Sequence, residues 1–349
     1  MQVKRKMSGG KSAHSFYSAP GIYHLQMNNE IVVSVLCITW NQAEYIRCAL
    51  DGIVMQQTDF AYEVIVHDDA STDGTAEIVR EYAETYPAMI RPLYETDNQY
   101  SKGRNLIEVV LPHIRGNYVA LCEGDDYWCD AHKLQKQVDI MRSKQNAVAC
   151  VHNVWKWDCL SHRKTRFHTK EDDGLLTVEN IIHWDYMGYA TVSLMVKRDW
   201  LTIPPEFQIT GVGDYPRAIY MALHGEIYYL KDCMGVYRCN ANGSWTNRMA
   251  DDIWRFRLYI LDMNRMLQYV DRYSNGEFHL SIENKIRMNS YCLVYREMMN
   301  GSKKEDYINA WKMLTGPERI KVYVMAHLRP YINYFRMLLQ RSVSKREEI

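Results

Sequence analysis

The sequence predicts an α/β fold: a mostly parallel sheet flanked by helices, with a helical region at the C-terminal end. Two observations carry this. From residue 31 to about 145, short β-branched apolar runs alternate with amphipathic stretches. That spacing suits right-handed βαβ crossovers, which build parallel sheets. After about residue 250 the pattern becomes helical and rich in Met, Tyr and Arg.

The elements follow in order. Residues 1–30 are polar and Gly/Ser-containing, and read as a leader outside the fold. IVVSVLCI (31–38) is the kind of run buried on both faces of a parallel sheet. Asn41 and Glu44 have N-cap and N3 spacing for the helix EYIRCALDGIVMQQ, with Ile46, Leu50, Ile53 and Val54 on one face. YEVIVHD (62–68) is a second strand, and Asp73 can cap the helix TAEIVREYAETY. NYVALCEGDD is a further strand, and Asp130 can cap HKLQKQVDIMRS. Beyond 145, AVACVHNVWKW and ATVSLMVKR read as strands separated by a polar loop, HRKTRFHTKEDDG. DYPRAIYMALHG then reads as a helix and EIYYLKD as a strand.

The bulk numbers exclude several classes. A formal net charge of zero gives no support for nucleic-acid binding. Nine cysteines without a CxxC pair argue against a zinc site or a disulfide framework, and fit a reducing cytoplasm. The basic N-terminal residues are not followed by an apolar segment, so a signal peptide is not expected. No run approaches the roughly 18 apolar residues of a membrane span.

Ligands of open α/β sheets gather outside the carboxyl ends of the strands. Two acidic clusters fall there: Asp68 and Asp69, and Glu123, Asp125 and Asp126 in CEGDDYW. HDDASTDGT reads either as a turn with a helix cap or as a set of acceptors for nucleobase N–H or ribose hydroxyl groups. In CEGDDYW three adjacent carboxylates repel one another, and they cannot all be caps. A hard divalent cation, Mn²⁺ or Mg²⁺, would neutralise them.

SVLCITWN, EVIVHDDASTDGT and NYVALCEGDDYW occur in an order and spacing that resembles the family 2 glycosyltransferases of GT-A fold. KLQKQ, ATVSLMVKRD, GDYPRAIYMALHG and MGVYRCNANGSW extend the resemblance to about residue 246. Any one motif is weak, but the ordered set is specific. It is similar above all to bacterial enzymes of capsule, O-antigen and other surface polysaccharides.

The resemblance implies a GT-A domain over 31–248, with a nucleotide-sugar-binding half (31–145) and an acceptor-binding half (146–248), and an appended helical region over 249–349. It also implies an inverting, metal-dependent transferase. The donor would be a nucleotide-diphosphate sugar, expected to be a UDP-sugar, and the acceptor a glycan or lipid-linked hydroxyl. Thr39, Asp68 and Asp69 would then line the nucleotide pocket. Asp125 would ligate the metal, with Asp126 and Glu123 assisting at metal, ribose or sugar.

Lys102 and Arg104 either approach the diphosphate or form a solvated basic loop. Asp214 stands where the family places its catalytic base, and is alternatively a helix N-cap. Tyr237, Arg238 and Trp245 would form a lid over the diphosphate and acceptor, or else the aromatics simply pack. The family's His in YRxHxxGxW is Asn240 here, an uncharged and weaker metal ligand.

Other classes remain in view. A nucleotidyltransferase would release pyrophosphate and usually carries a Gly-rich phosphate loop, which SVLCITWNQAE lacks. A non-catalytic nucleotide- or carbohydrate-binding relative is disfavoured by carboxylates at 125, 126 and 214. A processive synthase would need membrane spans. The basic, aromatic stretch RIKVYVMAHLRPYINYFRMLLQRSVSKR either packs on the domain or rests peripherally on the cytoplasmic membrane face.

Overall fold

β1 (Ile31–Thr39), α1 (Ile46–Val54), β2 (Ala61–Asp68), α2 (Thr75–Thr85), β3 (Ile90–Tyr94), α3 (Leu106–Val110) and β4 (Tyr118–Leu121) build the first half. The computed structural model describes residues 30–183, 188–208, 213–242 and 252–327. The leader before Glu30, Trp245 and the C-terminal part of the basic stretch lie outside them. The strand order is β3-β2-β1-β4, and all three pairings are parallel.

Next come β5 (Tyr127–Trp128), α4 (Lys133–Ser143), β6 (Ala147–Asp158), β7 (Arg163–Arg166), β8 (Gly174–Leu176) and α5 (Val178–His183). β9 (Met195–Lys197), α6 (Asp214–His224) and β10 (Glu226–Cys239) complete the sheet. This half is mixed. β6 and β10 pair in parallel, whereas β9 lies antiparallel between β4 and β6, and β5 runs antiparallel to β10. The parallel character expected of the whole sheet therefore belongs mainly to its first four strands. Among the described residues, four helices follow: α7 (Ile253–Tyr273), α8 (His279–Met299), α9 (Lys304–Met313) and α10 (Gly316–His327). Among the described residues, no helix is long and apolar enough to cross a membrane.

Side-chain alternation along β1 divides the core. Val33, Val35 and Cys37 pack with Ile46, Leu50 and Ile53 of α1 and Leu134 and Val138 of α4. Leu36 faces the opposite side, in the cluster that holds Ala218 of α6 and Met263, Met266, Leu267 and Val270 of α7. The apolar face of α7 is thus part of the sheet's own core.

Several local expectations are corrected. Asn41 does not cap α1. It adopts a left-handed φ of 51°, and its Oδ1 accepts from Thr72 N at 2.8 Å, so the helix starts only after Tyr45. Asp130 does not cap α4 either, because its Oδ1 takes His132 N at 2.8 Å in the preceding turn and its Oδ2 takes Lys136 Nζ. Asp73 does accept from the first helical amide, Thr75 N, at 3.0 Å, although Gly74 occupies the cap position.

ATVSLMVKR is a strand only over its last part. Ser193 N and Oγ both donate to Ala190 O, at 2.8 and 2.7 Å, and this local pairing turns residues 191–193 into a 3₁₀ turn. The polar loop after β6 contains β7, a strand of RKTR whose first three residues are all exposed, so it lacks both the apolar residues and the alternation by which strands are recognised.

One buried group has no expected role. Lys133 Nζ is fully buried without a hydrogen-bond partner and lies 3.8 Å from the centre of the Trp128 ring. Burial lowers its pKa to about 7.

Candidate active site

The acidic turn is placed by β1. After β4 ends at Leu121, Cys122 N donates to Leu36 O and Gly124 N to Ile38 O, both at 3.0 Å. The chain thus stays pinned beside β1 while it turns, and Glu123, Asp125 and Asp126 collect at the carboxyl edge of the parallel strands. One oxygen from each of the three lies within 4.8 Å of the others.

Gly124 permits this approach. A Cβ there would lie 2.4 Å from Gln42 Oε1 and 2.6 Å from Thr39 Oγ1. Gly124→Ala is accordingly expected to cost about 1–3 kcal/mol, the usual range for overpacking. Urea unfolding measures this, and an unchanged midpoint would show that the turn has room to relax.

The turn is electrostatically loaded. Burial, then Asp125 and Asp214, push the Glu123 carboxyl well above its ordinary range. Burial also raises Asp125, against the pull of its own amide, Arg238 and Gln42. Asp126, 1% exposed, is raised well above the carboxylate range by burial, Asp125 and Glu123. Its Oδ1 accepts from Arg238 N at 2.8 Å, but its buried Oδ2 has no partner. Three clustered oxygen donors and an orphaned carboxylate oxygen fit a hard divalent cation, which would relieve this repulsion.

Tyr237 and Arg238 lie inside β10, not on a loop. Tyr237 packs edge-on against Phe167 at 5.9 Å. Arg238 braces the acidic turn: Nη1 donates to Asp125 O at 2.6 Å, and the guanidinium lies 4.6 Å from the Tyr127 ring centre and 5.2 Å from that of Tyr45. Asn240, at a left-handed φ of 58°, donates its amide to Asp158 Oδ1 at 3.0 Å. This bond, with the backbone amides of Ser161 and Leu160, lowers Asp158 to about 2.

On the nucleotide side, Thr39, Asp68 and Asp69 are all buried at the ends of β1 and β2. Thr39 Oγ1 donates to Gln42 Oε1 at 2.8 Å, and Asp68 accepts from the Ser71 hydroxyl. Burial raises Asp68. Asp69 accepts from Gln99 N at 2.6 Å and Tyr100 N at 3.1 Å, which ties the 98–104 loop to the strand edge. Lys102 is exposed and paired with Asp97 at 3.2 Å. Arg104 donates to Gln99 Oε1 at 3.0 Å and lines the main cavity.

Asp214 opens α6 as its first helical residue. The cap position belongs to Gly213, with no side-chain cap bond, so the N-cap alternative does not hold. Its carboxylate is oriented from two sides: Thr191 Oγ1 donates to Oδ2 at 3.0 Å and Arg217 Nη1 to Oδ1 at 3.2 Å. Arg217 is itself 5% exposed and donates Nε to Leu201 O at 2.9 Å.

Neither Thr191 nor Arg217 stood out in the sequence. The Asp-x-x-Arg spacing of DYPR was the available signal, an i,i+3 pair once a helix starts at the Asp. Glu123, Asp214, Thr191, Arg217 and Arg104 all line one cavity of about 810 Å³ between the sheet and α7.

The sheet and its flanking helices have the GT-A fold. Residues 34–201 match the family described as Glycosyl transferase family 2, and this part of the chain belongs to it.

An uncharacterized protein of Mycobacterium tuberculosis is 35% identical over 219 residues, covering 63% of this chain and 62% of that protein. The Escherichia coli protein named UDP-Glc:alpha-D-GlcNAc-diphosphoundecaprenol beta-1,3-glucosyltransferase WfgD is 29% identical over 114 residues, 32% of this chain and 42% of its own. The chain thus spans less than two thirds of the length of these relatives.

Among solved structures, Staphylococcus aureus TarS 1-349 in complex with UDP-GlcNAc superposes with a TM-score of 0.52 at 16% identity, covering 85% of this chain and 90% of that one. The mannosyltransferase PcManGT from Pyrobaculum calidifontis, in complex with GDP-Man and Mn²⁺, gives 0.50 at 17%, covering 86% and 88%. At these identities the likeness is one of fold.

Proposed function

We propose that the protein is an inverting glycosyltransferase that moves a sugar from a nucleoside-diphosphate sugar to a hydroxyl of a glycan or lipid-linked acceptor, in the synthesis of a surface polysaccharide. The observation that carries this is the placement of Asp214 on the same cavity as the acidic turn. The acceptor oxygen forms a bond to the anomeric carbon as the bond from that carbon to the diphosphate oxygen breaks. The electron pair leaves with the nucleoside diphosphate, and the hydroxyl proton passes to Asp214. Attack opposite the leaving group inverts the anomeric carbon.

Arg217 and Thr191 hold the Asp214 carboxylate in one orientation, so little reorganisation is needed when it takes the proton. Asp125 and Asp126, with Glu123, would hold Mn²⁺ or Mg²⁺, whose charge would stabilise the departing diphosphate. The names of the superposing structures, one with UDP-GlcNAc and one with GDP-Man and Mn²⁺, agree with a nucleotide-sugar donor and a divalent cation.

The test is a panel of nucleotide sugars incubated with and without Mn²⁺, with release of nucleoside diphosphate as the readout. Release of pyrophosphate from a nucleoside triphosphate and a sugar 1-phosphate, with no diphosphate released from the nucleotide sugars, would instead identify a nucleotidyltransferase. Within the same assay, Asp125→Asn is expected to remain folded, because it removes one of three repelling charges, while cation-dependent donor binding falls at least tenfold. Equal donor affinity in variant and parent, with and without chelator, would remove Asp125 from the metal site.

A further inference from the structure

In KLQKQ, at the start of α4, two polar side chains are fully buried: Lys133 and Gln137, at spacing i, i+4 on one face of the helix. Lys133 reaches the Trp128 ring. Gln137 spends both amide hydrogens on backbone carbonyls, donating to Cys150 O of β6 at 2.8 Å and to Ser193 O at 2.9 Å. Trp128 of β5 donates its buried indole N–H to Val192 O at 2.9 Å. Two buried donors, from α4 and β5, thus hold consecutive carbonyls of one 3₁₀ turn.

The rest of that turn is equally tied down. Ala190 O accepts from Ser193 N and Oγ, Thr191 O accepts from Leu194 N at 3.0 Å, and Leu194 O takes Leu121 N of β4 at 3.0 Å. Every carbonyl from 190 to 194 is therefore bonded. Thr191 is the residue of the turn that lines the cavity, and its hydroxyl donates to Asp214 Oδ2 at 3.0 Å. Trp128, Gln137, Val192 and Ser193 do not line it.

One hydrogen bond from Thr191 can orient Asp214 only if the turn that carries Thr191 is itself fixed. Trp128 and Gln137 fix it. Trp128 does so from the strand that leaves the acidic turn, two residues after Asp126.

We propose that Trp128 and Gln137 are positioning residues for Asp214. By clamping the 190–193 turn they hold Thr191, and with it the carboxylate, at a set distance from the acidic turn. This rests on the reading of Asp214 as the base and adds the residues through which that base is placed. It also gives the buried face of KLQKQ a role in the reaction.

Three variants loosen the clamp. Gln137→Met removes both donated bonds at similar volume, and Trp128→Phe removes the indole N–H but keeps an aromatic ring. Ser193→Ala deletes only the hydroxyl bonded to Ala190 O, and decides alone if the two larger substitutions fail to fold. Each is compared with the parent at equal folded fraction, with Mn²⁺ and the nucleotide sugar that releases diphosphate fastest. The kcat is expected to fall about tenfold in Gln137→Met and Trp128→Phe, since a group misplaced by about 1 Å can cost about 10²-fold. Ser193→Ala should lose several-fold. Donor KM and the Mn²⁺ concentration for half-activation should stay within about twofold of the parent.

A double-mutant cycle with Asp214→Asn separates positioning from a merely structural loss. Once residue 214 cannot take a proton, its placement no longer matters, so each clamp variant should lower the residual turnover by less than about twofold. A structural loss would multiply in both backgrounds. Thr191→Val should reproduce the clamp phenotype, and Thr191→Ser, which keeps the hydroxyl, should restore turnover.

Turnover within twofold of the parent in all the clamp variants that fold, or a loss that multiplies with Asp214→Asn, would overturn the proposal. So would a loss expressed as a raised Mn²⁺ requirement, which would assign the clamp to the acidic turn instead. The two readings fail differently. If Asp214→Asn itself turns over within a few-fold of the parent, the base assignment falls and the clamp with it. If Asp214→Asn collapses while the clamp variants do not, only the clamp is wrong.

Discussion

Asp214→Asn is expected to lower sugar transfer by about 10²- to 10⁴-fold, the usual worth of a general base, with nucleotide-sugar binding retained. The substitution keeps size and shape. The amide oxygen can still accept from Arg217 and the amide group can still pair with Thr191, so both orienting contacts at 3.0 and 3.2 Å survive in weaker form. What disappears is a basic oxygen able to take the acceptor proton.

The loss of a negative charge at the start of α6 costs the helix only about 0.3–1 kcal/mol. Helix capping does not compete as an explanation, because Gly213 holds the cap position. Steady-state transfer and donor affinity, measured on the same preparation, decide the matter. A variant that transfers sugar within a few-fold of the parent would show that Asp214 is not the base.

Lys133→Met is expected to act in the other direction, raising stability at pH 7 by about 2–4 kcal/mol. An ammonium in an unfolded chain titrates near 10.4, and each unit of difference is worth about 1.36 kcal/mol. In the fold, burial lowers Lys133 to about 7, and its Nζ has no hydrogen-bond partner. The contact with the Trp128 ring at 3.8 Å offsets part of this cost. Between pH 7 and about 10.4 the unfolded state binds the proton that the native state has released, so the penalty falls as pH rises and is full only below 7.

The advantage of Met over Lys should therefore narrow steadily between pH 7 and 9.5. Comparing variant with parent at each pH cancels the buried tyrosines and cysteines, which titrate in the upper part of that range in both. Urea unfolding at the two pH values measures it. A Met variant less stable than the parent at pH 7 would mean that the ring compensates the burial in full.

The parallel half of this protein was legible because its signals are local. IVVSVLCI, YEVIVHD and NYVAL declare buried strands by composition, and the acidic residues that follow them fall at the carboxyl edge once those strands lie side by side. The position of Glu123, Asp125 and Asp126 relative to β1 needed nothing more than this. Capping was less legible. Asn41, Asp73 and Asp130 all have the right chemistry for caps, but each can also bind a neighbouring loop. Asn41 goes to Thr72 and Asp130 to the turn before α4, while Asp73 serves α2 and Ala43 N together. A short polar side chain has several backbone partners within reach, and only the packed loops select among them.

The α/β alternation, the family of residues 34–201 and the acidic turn could be read from the chain alone, because these are properties of consecutive residues and their order. How Asp214 is held, that Arg238 braces the turn from a strand, and that α7 forms one wall of the cavity became visible only in the folded molecule. Each of these depends on segments far apart in the chain: Thr191 with Asp214 across 23 positions, Arg238 with Asp125 across 113. Contacts of that kind carry no periodic signature in the chain. They arise when the two faces of the sheet bury their apolar side chains and bring along whatever polar groups stand at the edges.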